Sequence, residues 1–394
     1  MTVQLGVATE GLVVQAAGAD FTMKPIVLAD MNDDEVLVEM KYSGICHTDI
    51  LLQRGLLPPV DFPAIFGHEG AGTVLRVGAE AAKRDPALRP GASVLLSFNT
   101  CGRCRECTAN RPSFCHVHVQ ANAGCVRLRD GSTPARLGYP AATPVRSQCF
   151  GQSSFLRTSV VAGRSVVVVP DALLAGRMLD NSSESVLAAY APLGCGFQTG
   201  AGTVLNALRP TPADSIAIFG MGSVGLAALM AAAATGVRQI VAVDVVADKL
   251  VAARGFGATH TINSREVADV PAEVRRLSDG GVAYAIDCTG VIPVIESLLA
   301  CLAPGGTAAS VGVPPPGKTV QIDALSFLME NKRFIGVVEG LSVPQTFIPQ
   351  LIELHRDGRF PIDKLVQVYS VRDFELALAD LRSGKVVKPV IKWD

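Results

Sequence analysis

The sequence lacks an excess of charge of either sign. It holds 35 basic and 36 acidic residues, which gives a formal net charge of −1 with histidine neutral. Proteins that bind nucleic acid or an anionic membrane surface usually carry a clear excess of Lys and Arg. The balance therefore gives no electrostatic reason for such partners, and we expect no binding to nucleic acid or to membranes.

Sorting signals, repeats and heptads are also missing. The first residues, MTVQLGVATEGLVVQ, have neither a basic start nor a continuous apolar stretch, so we expect no secretory signal peptide and a cytoplasmic location. The most apolar long stretch, AIFGMGSVGLAALMAAAATG, has the composition of a membrane span. Its glycines and its place between two strand patterns favour a buried strand, turn and helix instead.

Cysteine, in contrast, is plentiful, with ten residues in a chain of 394. Disulfide scaffolds are usually short and secreted, so the cysteines favour metal binding in a reducing compartment. The stretch CGRCRECTANRPSFC places Cys101, Cys104, Cys107 and Cys115 close together. Four thiolates can fill every position of a tetrahedral Zn²⁺ and leave none for substrate. This spacing predicts a structural zinc lobe over residues 101–115.

The chain is long enough for two domains, and its two parts have different patterns. The first 195 residues carry alternating and glycine-rich strand patterns such as DEVLVEMKYSGI, which are typical of an antiparallel β domain. Later apolar runs such as SIAIFG and QIVAVDV alternate with helical stretches, which indicates a parallel sheet. We therefore predict an α/β fold in which residues 1–195 and 339–394 form a mainly antiparallel β domain. Residues 196–338 form a Rossmann-type, doubly wound domain.

A nucleotide-binding motif follows the first of these later strands. Gly220, Gly222 and Gly225 form G-x-G-x-x-G at a strand-to-helix turn. The glycines allow a tight turn, close approach of a pyrophosphate and close packing of the helix, whose N-terminus offers N–H donors. Asp244 ends the next strand and can accept hydrogen bonds from the adenine ribose. Because its carboxylate would repel a 2′-phosphate, the sequence predicts NAD rather than NADP.

Three scattered residues form a candidate metal site. Cys46 lies in SGICHTDI, His68 in FGHEGAG and Cys195 in PLGCGFQTGAG. Each of them alone has an ordinary interpretation as a buried core residue. Together they have the composition of a Cys₂His zinc site with an open fourth position for water or substrate. The spacing alone does not establish that the three side chains meet.

The order of these motifs resembles that of the zinc-dependent medium-chain alcohol dehydrogenases over essentially the whole chain. GHEGAG, FGQSSF, PLGCGFQTGAG and GVVEG are most similar to the bacterial aryl-alcohol (benzyl alcohol) dehydrogenases. The resemblance implies a GroES-like catalytic domain, NAD, and two zinc ions per chain, one catalytic and one structural. It also implies a small apolar substrate, a primary aryl or allylic alcohol that is reversibly oxidised to its aldehyde. The expected assembly is a homodimer joined through the nucleotide-domain sheets, or a tetramer.

The resemblance gives roles to residues beside the three predicted zinc ligands. Glu69 matches an acid that can approach the metal, and Asp49 matches the acid that orients the ligand histidine. Thr48 matches the hydroxyl that takes the proton of the alcohol, and His47 matches a contact to the cofactor pyrophosphate. Many members carry a histidine at the position of Leu51, so the end of the proton relay beyond Thr48 stays open.

The same resemblance implies further contacts with cofactor and substrate. Thr199, Lys249 and Lys388 match cofactor-contacting positions, and Lys249 would reach the ribose. The candidate pocket residues are Phe98, Val313 and Val338, although Phe98 fits a core residue equally well.

The implied chemistry follows from elementary acid–base behaviour. Coordination to Zn²⁺ lowers the pKa of a bound alcohol, so that an alkoxide becomes accessible near neutral pH. The alkoxide then transfers a hydride to C4 of NAD⁺. The protein holds metal, alcohol and nicotinamide together.

Other interpretations stay open at this level. A thiol-dependent formaldehyde dehydrogenase would use the same zinc and NAD but needs cationic residues for the carboxylates of the thiol. A noncatalytic protein with the same fold and a zinc-finger-type binding module are less well matched, since the motifs are intact and the net charge is near zero. The candidate cationic residues for the thiol are Arg127, Arg129, Arg136 and Arg146.

Two features of the sequence have no assigned role. The segment 171–190 is longer than the family requires. Four cysteines are predicted to be buried: Cys125, Cys149, Cys288 and Cys301.

Overall fold

The computed structural model describes residues 2–57, 61–138, 143–175 and 185–394. The chain forms two compact units, of which the first comprises residues 1–195, 343–353 and 362–394, and the second comprises 196–342 and 354–361. The sequence predicts the second boundary at 338/339, whereas these units divide at 342/343 and residues 354–361 return to the second unit. Of the unexplained segment 171–190, residues 176–184 lie outside the described residues.

The strands carry alternating or wholly apolar sequences rich in β-branched residues, which favour extended backbone. Their bounds are β1 (Thr2–Val14), β2 (Thr22–Asn32), β3 (Glu35–Gly44), β4 (Ala64–Ile65), β5 (Gly70–Val77), β6 (Ser93–Leu96), β7 (Ala135–Leu137), β8 (Thr143–Val145), β9 (Thr158–Ala162), β10 (Val166–Val168), β11 (Ser215–Phe219), β12 (Gln239–Asp244), β13 (His260–Asn263), β14 (Val282–Asp287), β15 (Leu302–Ser310), β16 (Arg333–Gly336), β17 (Val366–Ser370) and β18 (Lys388–Lys392).

The helices before residue 195 are short, and most of those that follow are longer. Their bounds are α1 (His47–Gln53), α2 (Ala79–Arg84), α3 (Arg105–Thr108), α4 (His118–Ala123), α5 (Asp171–Leu174), α6 (Val186–Tyr190), α7 (Gly196–Gly202), α8 (Ser223–Ala234), α9 (Ala247–Gly255), α10 (Val270–Leu277), α11 (Ile292–Cys301), α12 (Ala324–Met329), α13 (Pro344–Arg356) and α14 (Phe374–Ser383). Within the described ranges, no helix is both long and apolar enough to cross a membrane.

The first unit is built on two sheets. One has the strand order β4-β1-β2-β7-β8, and the other has β10-β6-β5-β3-β18-β17, with β9 also paired to β3. The pairing is antiparallel except between β17 and β18. Ser43 of β3 pairs with Gly70 of β5, and the strands run in opposite directions. The chain that leaves β3 toward Cys46 therefore lies beside the chain that enters β5 from His68.

The second unit holds one parallel sheet of order β13-β12-β11-β14-β15-β16. Strand β11 is apolar and buried almost throughout, as expected when both faces of a parallel sheet are covered. The strand order reverses at β11, because the chain proceeds outward first through β12 and later through β14. Ligands of such folds bind at the carboxyl ends of the strands at this switch point. The predicted α/β fold with a doubly wound domain is confirmed.

Candidate metal centres and cofactor site

Four potential ligands meet within the first unit. The donor atoms of Cys46, His68, Glu69 and Cys195 all lie within 4.8 Å of one another. Cys46 caps the N-terminus of α1, and Cys195 follows the 3₁₀ turn Ala191–Gly194. The fold thus brings together three predicted ligands that are far apart in sequence, and it adds a carboxylate beside them.

Asp49 joins two of the ligand segments. Its buried carboxylate accepts hydrogen bonds from the backbone N–H of Cys46 and of Gly67, each at 3.0 Å. One of its oxygens lies 2.9 Å from Nδ1 of His68. A hydrogen bond at Nδ1 fixes the ring orientation and directs Nε2 away from Asp49. This contact is the one that the sequence resemblance implied for Asp49.

The other ring nitrogen of His68 supplies the test for a metal. Nε2 is buried and has no hydrogen-bond partner among the described residues. Buried imidazole nitrogens are normally satisfied, so this atom needs a ligand that is not part of the protein chain. Phe150 covers one face of the ring, with a centroid distance of 4.4 Å and an interplanar angle of 21°. The donor set of two thiols and one imidazole fits Zn²⁺.

The electrostatics of the cluster favour a negatively charged thiolate at Cys46. The hydrogen bond with Cys195 lowers the pKa of the Cys46 thiol well below its usual value, and the charges of His68 and Lys388 add to this effect against the opposing effect of burial. Burial acts to lower the pKa of His68, but Asp49 and Cys46 outweigh it and raise that pKa well above its usual value. Thiolate character at Cys46 suits a metal ligand, because the thiolate is the form that binds.

Glu69 is held by an ion pair that the sequence did not predict. Nζ of Lys388 lies 2.9 Å from each carboxylate oxygen of Glu69, and both side chains are buried. The same amine donates to the carbonyl of Ile45 at 3.3 Å. A Cβ on Gly44 would lie 2.1 Å from Oε2 of Glu69, so glycine is required there. The sequence resemblance implied a cofactor contact for Lys388, whereas the structure gives it Glu69 as partner, because a buried carboxylate needs an opposite charge.

The predicted proton-relay residues lie on the first turns of α1. His47 is the first residue of that helix and is exposed, while Thr48 is half-buried. Leu51 is also half-buried and offers no proton-carrying group. Thr48 therefore lies two residues from Cys46, and its relay role stays a prediction.

The four-cysteine segment closes on itself. All four sulfur atoms lie within 4.8 Å of one another, with Cys101 Sγ at 3.6 Å from Cys115 Sγ and at 4.0 Å from Cys107 Sγ. Tetrahedral Zn²⁺ with four thiolates requires sulfur separations of about 3.8 Å. Backbone hydrogen bonds, of which the one with Cys107 has the largest effect, lower the pKa of the Cys104 thiol to about 6. Burial is the largest effect at Cys107 and raises the pKa of its thiol to about 12. The geometry fits a closed zinc site.

The glycine-rich turn after β11 has the shape expected of a phosphate site. Gly220 has φ of 92°, and a Cβ on Gly225 would lie 1.8 Å from the carbonyl oxygen of Gly220. A Cβ on Gly222 would meet nothing within 4 Å, so the backbone there faces open space at the N-terminus of α8. Asp244 accepts hydrogen bonds from the N–H of Met221 at 2.6 Å and of Val246 at 2.9 Å. These features fit a dinucleotide.

The other predicted cofactor contacts belong to the second unit. Thr199 is half-buried in α7 and donates to Glu339 at 3.4 Å. Lys249 is half-buried in the first turn of α9, which begins three residues after Asp244. Their contacts with a cofactor stay predictions.

The three candidate pocket residues differ in exposure. Phe98 is 1% exposed and packs at a tilt against the ring of His118, 5.6 Å away between centroids. This burial corresponds to the core interpretation of Phe98. Val313 and Val338 are 51% and 48% exposed, and they follow β15 and β16 at the carboxyl edge of the parallel sheet. That edge is where the glycine-rich turn lies.

Comparison with known proteins decides the family. Residues 32–147 match the alcohol dehydrogenase GroES-like domain, and residues 223–356 match the zinc-binding dehydrogenase domain. The geraniol dehydrogenase of Castellaniella defragrans is 36% identical over 385 residues, which cover 98% of each chain. This chain belongs to the zinc-dependent alcohol dehydrogenases. It is an oxidoreductase of that family, and the resemblance inferred from its motifs is confirmed.

Other members of the zinc-dependent alcohol dehydrogenases match over the full length. An alcohol dehydrogenase zinc-binding domain protein from Burkholderia ambifaria is 38% identical, with a TM-score of 0.90 and all of both chains covered. Benzyl alcohol dehydrogenase from Acinetobacter calcoaceticus is 34% identical, with a TM-score of 0.88 and coverage of 98% and 100%. A probable S-(hydroxymethyl)glutathione dehydrogenase of Schizosaccharomyces pombe is 30% identical, with coverage of 98% and 97%.

Several residues of this dehydrogenase's metal site escaped the sequence reasoning. Phe150 and Gln152 both lie in FGQSSF, a stretch that the sequence offered only as a mark of resemblance. Ser97 had no signal of any kind. Their roles depend on contacts between strands, which no short-range spacing reveals. Three of the four unassigned cysteines are buried, namely Cys125, Cys149 and Cys301, and Cys288 is partly buried.

Proposed function

We propose that this protein is a zinc- and NAD-dependent dehydrogenase that reversibly oxidises a primary aryl or allylic alcohol to its aldehyde. The observation that carries the proposal is the buried cluster of Cys46, His68 and Cys195 with an imidazole nitrogen that has no hydrogen-bond partner. It lies in a chain whose full-length relatives include a geraniol and a benzyl alcohol dehydrogenase. Both relatives are named for an alcohol beside a double bond or a ring.

The residues of the cluster have distinct tasks in this proposal. Cys46, His68 and Cys195 hold the catalytic zinc, and Glu69 stands beside them as a carboxylate that can approach the metal. When bound, the zinc supplies Lewis acidity to an alcohol or carbonyl oxygen, and NAD accepts the hydride. Thr48 takes the proton from the alcohol and passes it on. A second zinc in the four-cysteine lobe is structural.

The choice of NAD over NADP rests on Asp244. Its carboxylate stands at the end of β12 and is held by two backbone N–H groups. A ribose hydroxyl is a good donor to this group, whereas a 2′-phosphate would be repelled. Asp244→Asn keeps one of the two acceptors that bond to the turn, and we expect it to reduce the ratio of kcat/KM for NAD over NADP about tenfold. An unchanged ratio would show that Asp244 does not read the ribose.

The second candidate is oxidation of a thiol adduct of formaldehyde. The similarity to a probable S-(hydroxymethyl)glutathione dehydrogenase supports this candidate. That reaction needs free cationic residues for the thiol's carboxylates. Arg127 is buried and bonds to both oxygens of Glu35 at 2.8 and 2.9 Å, so its charge is already matched. Arg146 is paired with Asp61. These two pairings favour the apolar alcohol, whereas Arg129 is exposed and Arg136 is half-buried, so those two residues keep the second candidate open.

One assay separates these substrates. The formation of NADH is followed by absorbance with benzyl, cinnamyl, geranyl and short aliphatic alcohols, and with formaldehyde in the presence of several thiols. We expect the highest kcat/KM with the aryl and allylic alcohols. A preference for formaldehyde with a thiol would support the second candidate, and no reduction of NAD⁺ in zinc-replete protein would overturn the proposal.

We also propose a homodimer formed through the second unit. Strand β16 is an edge strand of the parallel sheet. Helix α12 directly precedes β16 in the sequence and exposes large apolar side chains. Leu325, Leu328 and Met329 are 69%, 70% and 70% exposed, which is costly for a surface that faces only water. Light scattering should give a mass near twice 41.2 kDa, and Leu328→Lys should lower it. A monomeric wild type would contradict this assembly.

A further inference from the structure

A buried glutamine bonds to the backbone of the ligand His68 and to that of Gly70, two residues later. The Oε1 atom of Gln152 accepts from the N–H of Gly70 at 3.1 Å, and its Nε2 donates to the carbonyl of His68 at 3.0 Å. The same Nε2 donates to the carbonyl of Ser97 at 3.1 Å. Gln152 is fully buried, and its side-chain amide is thus occupied by three backbone groups.

Ser97 continues this connection to the third ligand. Its hydroxyl donates to the carbonyl of Gly194 at 2.7 Å, and Gly194 directly precedes Cys195. A Cβ on Gly194 would lie 1.9 Å from the carbonyl oxygen of Leu96, so the two segments are in close backbone contact. Ser97 is also fully buried. The loop that carries Cys195 is therefore fastened to the end of β6 by a serine hydroxyl and by close contact at a glycine.

With Asp49, these contacts form one continuous path between all three ligands. Asp49 joins the N–H of Cys46 to the ring of His68. Gln152 and Ser97 then join the backbone of His68 to that of Gly194. The path contains no solvent-exposed link, and each of its side chains is buried. Buried polar groups of this kind restrict motion because breaking one leaves its partners without hydrogen bonds.

The loop around Gln152 has an unusual backbone. Phe150 has φ of 52° and Ser153 has φ of 48°, in the left-handed region that non-glycine residues seldom occupy. Such conformations persist where the surrounding structure holds them. Ser153 donates to the carbonyl of Ile65 at 2.7 Å, and Phe150 covers the ring of His68. The strained turn thus aims the Gln152 amide at the metal-ligand segments.

We infer that Gln152 and Ser97 are positioning residues that hold Cys195 at metal-binding distance from His68. Neither of them touches the metal or the substrate. The link between Cys46 and His68 through Asp49 does not reach the backbone of the loop before Cys195, whereas this second route bonds directly to it at Gly194. The inference rests on the proposed function, because it assumes that Cys46, His68 and Cys195 bind zinc. Loss of either residue should loosen the zinc site more than it loosens the fold.

The test compares two pairs of variants that are matched in chemistry. Gln152→Met and Ser97→Ala break the path. Gln148→Met and Ser147→Ala remove equally buried groups whose side chains bond to Glu35, Val160 and Thr133 instead. Zinc release from each protein to a coloured chelator is followed over time. The phase that Cys46→Ser lacks belongs to the catalytic site. Thermal unfolding reports on the fold.

We expect Gln152→Met to release the catalytic zinc 10- to 100-fold faster than the wild type, which is the usual effect of losing an outer partner of a metal site. Ser97→Ala should give roughly a tenfold increase. The two control variants should lose comparable thermal stability but release zinc at the wild-type rate. In cobalt-substituted protein, the thiolate-to-metal absorption band that depends on Cys46 should weaken or shift in the first pair only.

Equal zinc release in all four variants would overturn the inference and leave the proposed function standing. A wild type without a Cys46-dependent zinc phase would overturn the zinc assignment, and the inference with it. If Gln152→Met does not fold, Ser97→Ala decides, because it removes one hydroxyl and leaves the Gln152 amide in place. Zinc release at the wild-type rate in that variant would then count against the inference.

Discussion

The two candidate metal sites of this protein are built in opposite ways. The four-cysteine lobe takes all its ligands from residues 101–115, which the structure describes in full, and only Glu106, Ser113 and Cys115 are buried there. The catalytic cluster takes its ligands from residues 46 to 195 and lies among buried strands. The lobe has little core of its own, so a metal would supply its folding free energy. The cluster is held by the fold, through Asp49 and the Lys388–Glu69 pair.

This difference indicates what a metal ion would do at each of the two sites. A short loop that surrounds an ion with four thiolates leaves no position for a substrate. A site assembled from distant segments can leave one position free, because the fold and not the metal keeps the ligands in place. The side chains that hold the cluster, Asp49 and the Lys388–Glu69 pair, are correspondingly polar and buried. We expect metal loss to remove activity in one region and structure in the other.

The largest effect is expected from Cys46→Ser. Without one thiolate the catalytic zinc is lost, and kcat should fall at least about 10³-fold, since the metal supplies several kcal/mol of transition-state stabilisation. The protein should stay folded, because Asp49 still bonds to the backbone N–H at position 46. Steady-state kinetics, zinc content and circular dichroism check this. A variant with full activity would refute the ligand assignment.

The next largest effect concerns the buried ion pair between Lys388 and Glu69. Lys388→Met removes the ammonium group that neutralises the buried carboxylate of Glu69, which should cost about 3–5 kcal/mol in the free energy of unfolding. Lys385→Met is the matched control, because Lys385 pairs with Asp380 at the surface and should cost at most about 1 kcal/mol. Urea denaturation measures both. Unchanged stability with a raised KM for NAD would instead assign Lys388 to the cofactor.

A smaller and local effect is expected from Cys104→Ser. Loss of one thiolate should release the lobe zinc and open the lobe, while the core of the first unit stays intact. Trypsin should then cut near Arg103 or Arg105 faster than in the wild type, and kcat of the intact protein should change less than about threefold. A variant that keeps two zinc ions and full resistance to trypsin would contradict a structural role for the lobe.

The smallest difference should appear on chelation of the wild type. A small chelator can reach an open coordination position but not a closed tetrahedral site. The catalytic zinc should therefore leave about tenfold faster than the lobe zinc, and activity should disappear in the faster phase and return when Zn²⁺ is added. Zinc release and activity are followed in the same sample. Loss of activity only with the slower phase would reverse the two assignments.

Much of this protein could be predicted from short stretches of sequence. The four cysteines of the lobe and the glycines after β11 act over a few residues, so their spacing already contains their geometry. The alternation of apolar strands and helices determines the parallel sheet in the same way, because hydrophobic periodicity is a local property. The identity of the chain as a zinc-dependent alcohol dehydrogenase could likewise be read from the order of its motifs.

The tertiary structure decided what depends on contacts between distant strands. Sequence could nominate Cys46, His68 and Cys195, but only the pairing of β3 with β5 and the closure of the loop before Cys195 bring them together. The sequence resemblance implied a cofactor contact for Lys388, which stays a prediction, and only the fold shows that Lys388 is the buried counter-ion of Glu69. Gln152 lies in the motif FGQSSF, but its role could not be predicted from that motif, because the three backbone groups that it bonds to meet only in the fold. Hydrogen bonds and ion pairs act over about 3 Å in space, and sequence spacing carries no such distance.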